Sequence, residues 1–212
     1  MPLAGNAITA SLRACFDAQR RAYFAQPVPT IDQRRHDLRQ LKAMLSDNRE
    51  EIMAAISQDY GNRSRQESQF AEIISVTDAI NDALRNVGKW SRAQRRHVDM
   101  SMFAGGRNRL MPQPLGVVGI IVPWNFPGNL SFVPIATAFA AGNRAMVKFS
   151  ENSRAFSQLM IRLREKYFPQ EKLAFFEETG GVGVEFSQIP FDLLFFTGSG
   201  ATGRAVMAAA AK

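Results

Sequence analysis

Residues 114–127, with the sequence PLGVVGIIVPWNFP, mark a change in the hydrophobic pattern of this 212-residue chain. The apolar run at 116–122 is rich in β-branched residues and too short for a membrane span, which needs roughly 18 residues. It therefore predicts a buried strand. Further strands are predicted at 144–149, 173–177 and 192–197, alternating with helices near 129–141, 152–166, 180–187 and 200–211. This alternation predicts an α/β fold, a parallel sheet with helices on both faces.

Before this strand, the spacing of apolar residues is helical from about 30 to 96. Thr30 and Gln33 have the spacing of a capping box, so a helix is predicted to begin near Ile31 and to end at Gly61. Its predicted buried face comprises Leu38, Leu41, Leu45, Ile52 and Ile56. A second helix is predicted to bury Phe70, Ile73, Thr77, Ile80, Leu84 and Val87.

The last predicted strand runs into a glycine-rich turn. Gly198, Gly200 and Gly203 satisfy the pattern G-x-G-x-x-G between a predicted strand and a predicted helix. Such a turn lets backbone N–H groups at a helix start approach the pyrophosphate of a dinucleotide. On spacing alone, a tight turn with a purely structural role is an equally good interpretation.

Two other strand ends carry polar side chains where ligands of parallel sheets bind. Lys148 and Glu151 are three residues apart and would suit the two hydroxyls of a ribose, one donating and one accepting. Spacing alone favours an exposed ion pair between them. Asn125 lies between two prolines that stiffen the backbone, and its amide would suit a developing oxyanion. Its alternative role is to cap the following helix.

The net charge of +7 is concentrated between Arg85 and Arg109, where seven basic residues accompany one acid. Nucleic-acid binding is one interpretation of such a patch. However, Trp90 and Phe103 do not form a stacking series. We therefore favour a solvated helix end followed by a loop, which enters a strand near 98–110.

The chain has a single cysteine, Cys15, so it forms no internal disulfide, which fits a reducing cytoplasm. No long apolar run and no secretory signal are found, and no group of residues suggests a metal site. Cys15 lies in an amphipathic stretch with no histidine nearby in the sequence. We interpret it as a small core residue rather than a nucleophile.

Three stretches resemble signature blocks of the aldehyde dehydrogenase superfamily, in the family's order and spacing. They are residues 114–127, residues 141–151 (AGNRAMVKFSE) and residues 196–203 (FTGSGATG). The resemblance extends from about Thr30 onward and is strongest after Pro114. Within the superfamily the sequence is most similar to coniferyl aldehyde dehydrogenases, particularly at 141–146 and 190–196.

The resemblance implies specific site residues. Asn125 would be the side-chain half of an oxyanion hole, and Trp124 with Phe126 would line the passage between cofactor and aldehyde. Lys148 and Glu151 would hold the adenine ribose of NAD or NADP, with NAD favoured because Glu151 repels a 2′-phosphate. The implied cofactor-binding residues are Pro123, Trp124, Lys148, Glu151, Thr197, Gly198, Ser199 and Gly203.

Phe149 and Gly200 depart from the family pattern, which has proline and threonine there. The family continues with a Glu-Leu-Gly-Gly strand that carries the general base, and then with the catalytic cysteine. We therefore expect this chain to be the N-terminal part of the enzyme and to be inactive alone. Residues 1–113 would form a helical region and the start of an oligomerisation arm, and residues 114–212 an incomplete Rossmann-like NAD(P)-binding domain.

The resemblance also implies partners. The substrate of the full-length enzyme would be a small aromatic aldehyde, oxidised to the acid. A missing next strand would leave a sheet edge open, and the strand near 107–112 would lack its partner, so a homo-oligomer or self-association is expected, without a membrane. The alternative function is a non-catalytic remnant that binds nucleotide or nucleic acid.

Overall fold

The computed structural model describes the backbone of residues 3–212 and the side chains from residue 7 onward. In chain order, the helices are α1 Leu3–Ala25, α2 Ile31–Asp47, α3 Arg49–Tyr60, α4 Arg65–Ser68, α5 Ser75–Trp90, α6 Asn129–Ala140, α7 Arg154–Tyr167, α8 Val182–Ser187 and α9 Gly200–Ala210. A π-helical segment, Gln69–Ile74, joins α4 to α5. The strands are β1 Gln94–Arg96, β2 Asn108–Leu110, β3 Val117–Ile121, β4 Arg144–Lys148, β5 Leu173–Phe176 and β6 Leu193–Phe196.

The four longer strands form a parallel sheet in the order β5-β4-β3-β6. Ile121 pairs with Lys148 on one side and with Phe196 on the other, so three strands end at the same level. The predicted strands at 116–122, 144–149, 173–177 and 192–197 lie within one residue of those observed at each end. The predicted α/β fold, with N-terminal helices before a Rossmann-like parallel sheet, is confirmed.

Alternate residues of β3 face opposite cores. Val118 and Ile120 pack with α6, α7 and the N-terminal helices α2, α3 and α5. Val117 and Ile121 pack with α1 and α8. Both faces of the sheet are therefore covered at β3, as its near-continuous apolar sequence predicts. The division after residue 113 stays a prediction, and the larger core joins helices before it to strands after it.

The first predicted helix is two helices. Its capping box at Thr30 and Gln33 is confirmed, and Gly61 ends α3 in the left-handed conformation with φ 70°. The five residues of its predicted face are buried. The break falls at Asn48, whose amide donates to the Met44 carbonyl at 2.8 Å and to the Tyr167 hydroxyl at 3.1 Å. A side chain that bonds to the backbone of the preceding turn competes with continuation of the helix.

The predicted buried face of the second helix is wrong at one position. Ile73, Ile80 and Val87 are buried, whereas the side chain of Phe70 is 70% exposed. The π-helical segment inserts a wider turn at this point, which shifts the phase of the helical period. Glu72 is consequently turned into the interior instead.

Helix α1 covers the second face of the sheet; it falls in the helical region predicted for residues 1–113, although no bounds are predicted for a helix before Thr30. Its buried residues include Leu12, Cys15 and Phe16. The Gln19 amide donates to the carbonyls of Ala145 at 3.0 Å and Gln170 at 2.9 Å, which ties α1 to the sheet. None of the helices in the described part of the chain is long and apolar enough to cross a membrane.

The helical prediction up to about residue 96 is wrong at its end, because α5 ends at Trp90 and β1 follows. β1 pairs antiparallel with β2, so the strand predicted at the end of the 98–110 loop is confirmed. All seven basic side chains of the charged patch are exposed, as the solvated interpretation requires. They lie on a hairpin as well as on a helix end, and four of them line a groove of about 350 Å³: Arg95, Arg96, Arg107 and Arg109.

Candidate active site

A cleft of about 480 Å³ lies at the carboxyl ends of β3, β4 and β6, between α8 and α9. Ile121, Lys148 and Phe196 line it from the last residues of these three strands. Glu151 and Glu178 line it from the loops that follow β4 and β5. This is the edge at which parallel α/β sheets bind their ligands, because strand ends and helix starts meet there. The structure therefore brings Lys148 and Glu151 together in one cleft.

The partner of Lys148 is not the expected one. Spacing favoured an exposed ion pair with Glu151, but Glu151 is exposed and accepts a hydrogen bond from the Ser150 hydroxyl at 3.1 Å. The Lys148 ammonium instead contacts Glu178 Oε2 at 2.9 Å, with side chains 10% and 13% exposed. The interpretation as an exposed Lys148–Glu151 pair is wrong because Lys148 is the last residue of a buried strand and reaches the neighbouring strand end.

The Glu178 carboxylate is anchored by backbone N–H groups as well as by Lys148. Oε1 accepts from the N–H groups of Gly180 and Val182, both at 3.0 Å, and Oε2 accepts from Gly183 at 2.8 Å. Burial acts to raise the pKa of Glu178, but the hydrogen bond and charge of Lys148, together with the backbone donors, lower it below its ordinary value. The carboxylate is therefore ionised at neutral pH.

The glycine-rich turn has the predicted context, since β6 ends at Phe196 and α9 begins at Gly200. Ser199 caps α9, and its hydroxyl accepts from the Thr202 N–H at 3.2 Å. A Cβ at Gly198 would lie 2.5 Å from the Phe196 ring, so this glycine has a packing role. Thr202 lines the cleft, whereas four of the predicted residues do not: Thr197, Gly198, Ser199 and Gly203.

The loop that carries Asn125 is held by the segment between α3 and α5. The Asn125 carbonyl accepts from the Tyr60 hydroxyl at 2.5 Å and from Arg63 Nη1 at 2.8 Å. The Arg63 guanidinium also lies 4.7 Å from the centre of the Tyr60 ring and 4.4 Å from that of Phe126. Arg63 is buried, so these contacts fix the backbone of the loop rather than covering its surface.

Glu72, not Asn125, caps the helix that follows this loop. Its Oε2 accepts from the Asn129 N–H at 2.7 Å, and its Oε1 accepts from Arg63 Nη1 at 3.0 Å. The capping interpretation of Asn125 is therefore wrong, because α6 begins four residues later and another helix supplies the acceptor. Burial raises the pKa of Glu72 to about 7, although the Asn129 N–H and the Arg63 charge act to lower it.

The Asn125 side chain is not used to hold the loop or the following helix in place. Its Oδ1 is buried and has no hydrogen-bond partner among the described residues. Buried polar atoms are nearly always paired, and exceptions occur at functional sites. Trp124 is half-exposed and lines a separate hollow of about 280 Å³ with Tyr60, and Pro123 is half-buried. Pro123 and Trp124 therefore lie outside the larger cleft.

Cys15 is a buried core residue in α1, as interpreted from the sequence. Burial raises the pKa of its thiol to about 11, so the thiol is protonated at neutral pH. Nucleophilic catalysis requires the thiolate. The one cysteine of the chain therefore does not supply a nucleophile.

Sequence reasoning missed four residues of the site: Tyr60, Arg63, Glu72 and Glu178. Glu178 carried a usable signal, because it follows a predicted strand and precedes two glycines. The other three carried none, since they lie about 60 residues before the loop that they hold. Their role depends on how the end of α3 and the segment that follows it contact the Asn125 loop and the start of α6.

Comparison with known proteins identifies the family of the chain. Residues 6–212 match the model of the aldehyde dehydrogenase family. A probable coniferyl aldehyde dehydrogenase of Pseudomonas aeruginosa is 42% identical over 95% of the chain and 42% of its own length. A coniferyl aldehyde dehydrogenase of a Pseudomonas species is 40% identical over 94% of the chain and 41% of its own length.

The solved structure of substrate-bound AldH from Staphylococcus aureus superposes with a TM-score of 0.88 at 26% identity, covering 94% of this chain and 43% of that one. The chain thus spans less than half the length of the curated relatives that it matches. Both the sequence match over nearly the whole chain and the shared fold lead to one conclusion. The chain belongs to the aldehyde dehydrogenase family.

Proposed function

We propose that residues 1–212 form the cofactor-binding N-terminal part of an NAD(P)-dependent aldehyde dehydrogenase that oxidises an aromatic aldehyde to the acid. The observation that carries the proposal is the cleft at the ends of three parallel strands, which Lys148 and Glu151 both line. The names of the two Pseudomonas relatives support an aldehyde of the coniferyl type. Residues 1–113 would be the helical region and arm, and residues 114–212 the incomplete nucleotide-binding domain.

The residues present fit a dinucleotide. Lys148 can donate to ribose hydroxyls, and Glu151 can accept from them. The cleft is also closely lined by backbone, since a Cβ at Gly183 would lie 2.9 Å from Glu178 and 3.0 Å from Lys148. NAD(P), when bound, supplies the hydride acceptor for aldehyde oxidation. Thr197, Gly198, Ser199 and Gly203 would bind its pyrophosphate from the glycine-rich turn, while Pro123 and Trp124 would flank it.

Asn125 would stabilise the oxyanion that forms when a nucleophile attacks the aldehyde. Its amide is positioned by a loop whose backbone is bound to Tyr60 and Arg63, and preorganised donors of this kind accelerate such reactions by roughly 10²–10³-fold. The thiolate for the attack does not come from Cys15, which is buried with a raised pKa. We therefore propose that this chain alone does not oxidise aldehydes.

Incubation of the purified chain with coniferyl aldehyde and NAD or NADP tests this point. We expect no more reduced cofactor than in a protein-free blank. Aldehyde-dependent cofactor reduction that disappears in Cys15→Ala would contradict the proposal, because it would require Cys15 as the nucleophile.

Cofactor binding by the chain is tested separately. We expect calorimetric titration with NAD to give saturable binding in the micromolar range that Lys148→Ala weakens. Lys166→Ala is the matched control, since Lys166 is exposed on α7 and does not line the cleft. Equal affinity of the two variants would show that Lys148 does not contribute to the site.

We further propose NAD as the preferred cofactor, because Glu151 places a negative charge where a 2′-phosphate would lie.

A cytoplasmic location is supported by the single, unpaired cysteine. Self-association is supported by the open edge of β6 and by the exposed hairpin. The substrate specificity would depend largely on residues outside this chain, since its relatives are more than twice as long.

A second candidate is a non-catalytic protein that binds nucleic acid through the basic hairpin. Its support is the groove lined by four exposed arginines on β1, β2 and the intervening loop. Binding of single-stranded RNA that weakens steeply with salt and is lost in Arg95→Ala/Arg109→Ala would favour this candidate. Absence of RNA binding at low salt, together with saturable NAD binding, would favour the dehydrogenase.

A further inference from the structure

The cleft holds a second carboxylate besides Glu151. The charged side chains that line it, within the described part of the chain, are Lys148, Glu151 and Glu178. One cation therefore faces two carboxylates. Lys148 is already paired with Glu178 at 2.9 Å, and both side chains are nearly buried. The charge left over in the cleft is negative.

We propose that Glu178 is a specificity-determining residue that favours a ribose with free hydroxyls over one that carries a phosphate. The inference rests on the proposed function of the cleft as the site of an NAD(P) ribose. It adds a residue outside the three sequence blocks and gives its charge a role. Glu178 acts by neutralising the only cation in the described cleft that would attract a phosphate.

The position of the Glu178 charge is fixed. Three backbone N–H groups bind its two oxygens, from Gly180, Val182 and Gly183. Because these hydrogen bonds fix it, the Glu178 carboxylate does not move away when another anion approaches. A 2′-phosphate carries roughly −2 charge near neutral pH and would meet both Glu178 and Glu151. Ribose hydroxyls, in contrast, can donate to a carboxylate and accept from Lys148.

A merely structural role predicts something different. If Glu178 served only to organise the turn before α8, its replacement would lower stability and weaken both cofactors equally. The ion pair with Lys148 and the location in the cleft instead predict a change in the ratio of the two affinities. The ratio of the dissociation constants for NADP and NAD is therefore the quantity to measure.

The experiment is calorimetric titration of the purified chain with NAD and with NADP at low ionic strength. In Glu178→Gln, which removes the charge and keeps the shape, we expect the preference for NAD to fall by roughly tenfold. Glu178→Ser provides a second uncharged variant, whose hydroxyl can still accept from the nearby Gly180 N–H. The matched control is Glu177→Gln, because Glu177 pairs with Arg154 and does not line the cleft.

The possible results of these titrations distinguish the inference from the proposed function. An unchanged ratio in both uncharged variants, with both cofactors still bound, overturns the inference and leaves the proposed nucleotide site intact. Failure of the wild-type chain to bind either cofactor overturns the proposed site and the inference together. A reduced ratio in the Glu178 variants but not in Glu177→Gln supports the inference. Thermal unfolding of each variant identifies those that are folded, and one folded uncharged variant suffices.

Discussion

Arg63 links the predicted oxyanion loop to the interior of the molecule. Its guanidinium donates to the Asn125 carbonyl and to Glu72, and it stacks on Tyr60 and Phe126. The hydrogen bond to the Asn125 carbonyl and the contact with Phe126 restrain the loop and leave the Asn125 side chain unengaged. Arg63 thus positions the Asn125 side chain through the backbone of the loop, without contacting that side chain.

Replacement of Arg63 by alanine tests this arrangement. Removal of one partner of a buried ion pair leaves the other charge uncompensated and typically costs about 3–5 kcal/mol. We expect Arg63→Ala to lower the free energy of unfolding by an amount near this range, measured by urea denaturation. Arg65→Ala is the control, since Arg65 forms an exposed ion pair with Glu50 and its loss should cost under about 1 kcal/mol. Similar losses in the two variants would contradict the role of Arg63.

Glu72 predicts a specific pH dependence of stability. Its pKa is about 7 in the folded chain and near 4.5 when unfolded, so the folded state binds more protons between these values. Its contribution is fully present below about pH 4.5 and is lost as the pH rises through about 7, by up to roughly 3 kcal/mol. We expect the wild-type chain to lose stability between about pH 5 and about pH 8 relative to Glu72→Gln, in urea titrations at each pH. Parallel curves for the two proteins would contradict the raised pKa.

Some site residues were predictable and others were not. Lys148 lies at the end of a predicted strand, Glu151 and Asn125 follow predicted strands, and the ends of parallel strands meet at one edge. Arg63 and Glu72 act through contacts between helices that are distant in the sequence. The partner of Lys148 was also hidden, because pairing with Glu178 depends on which strand lies next to β4.

At the level of elements, packing against β3 leaves no room for a side chain at Gly119. A Cβ at Gly119 would lie 2.5 Å from the Phe191 ring and 2.8 Å from Leu194. We expect Gly119→Ala to lower the free energy of unfolding by about 1–3 kcal/mol, because the enlarged core must shift a ring. Denaturant unfolding provides the measurement.

Gly88→Ala is the matched control for this substitution. Gly88 lies inside α5, and a Cβ at this position would have Arg35 Nη2 as its nearest neighbour at 3.5 Å, an ordinary contact. Alanine is the better helix former, so this variant should be more stable by about 0.5–1 kcal/mol. We expect the free energy of unfolding to fall in Gly119→Ala and to rise in Gly88→Ala. Changes of the same sign would show that the close contacts at Gly119 do not exclude a side chain there.

The strands were predicted within a residue because short apolar runs end abruptly at prolines, glycines and polar or charged residues. The bounds of helix α1 were not predicted, because its packing surface is provided by a sheet that comes later in the sequence. The wrong assignment of Phe70 has a local cause, the π-helical turn. A search for the α-helical period of 3.6 residues does not predict such a turn, because the turn departs from that period.

On the scale of the whole molecule, the open edge of β6 is the exposed feature of greatest consequence. β6 is the last strand of the sheet on its side, and its Leu193 and Phe195 side chains are 47% and 43% exposed. Unpaired strand edges with apolar side chains promote association between chains. We expect light scattering to show a mass that increases with protein concentration.

A charged residue on this edge should reduce the association. We expect Phe195→Lys to lower the apparent mass, because lysine on an edge strand opposes pairing. Phe24→Lys is the control, since Phe24 is comparably exposed but lies on α1. A wild-type chain that stays monomeric at all concentrations, or equal effects of both variants, would contradict the role of β6.

The contacts that hold the Asn125 loop have a consequence for folding during translation. Tyr60, Arg63 and Glu72 all precede the loop, so the ribosome releases them first. Domains generally fold as units during synthesis, and the helical residues that hold the loop have already been synthesised when the loop appears. Asn125, the proposed oxyanion donor, is therefore positioned by residues that are synthesised before any strand of the sheet.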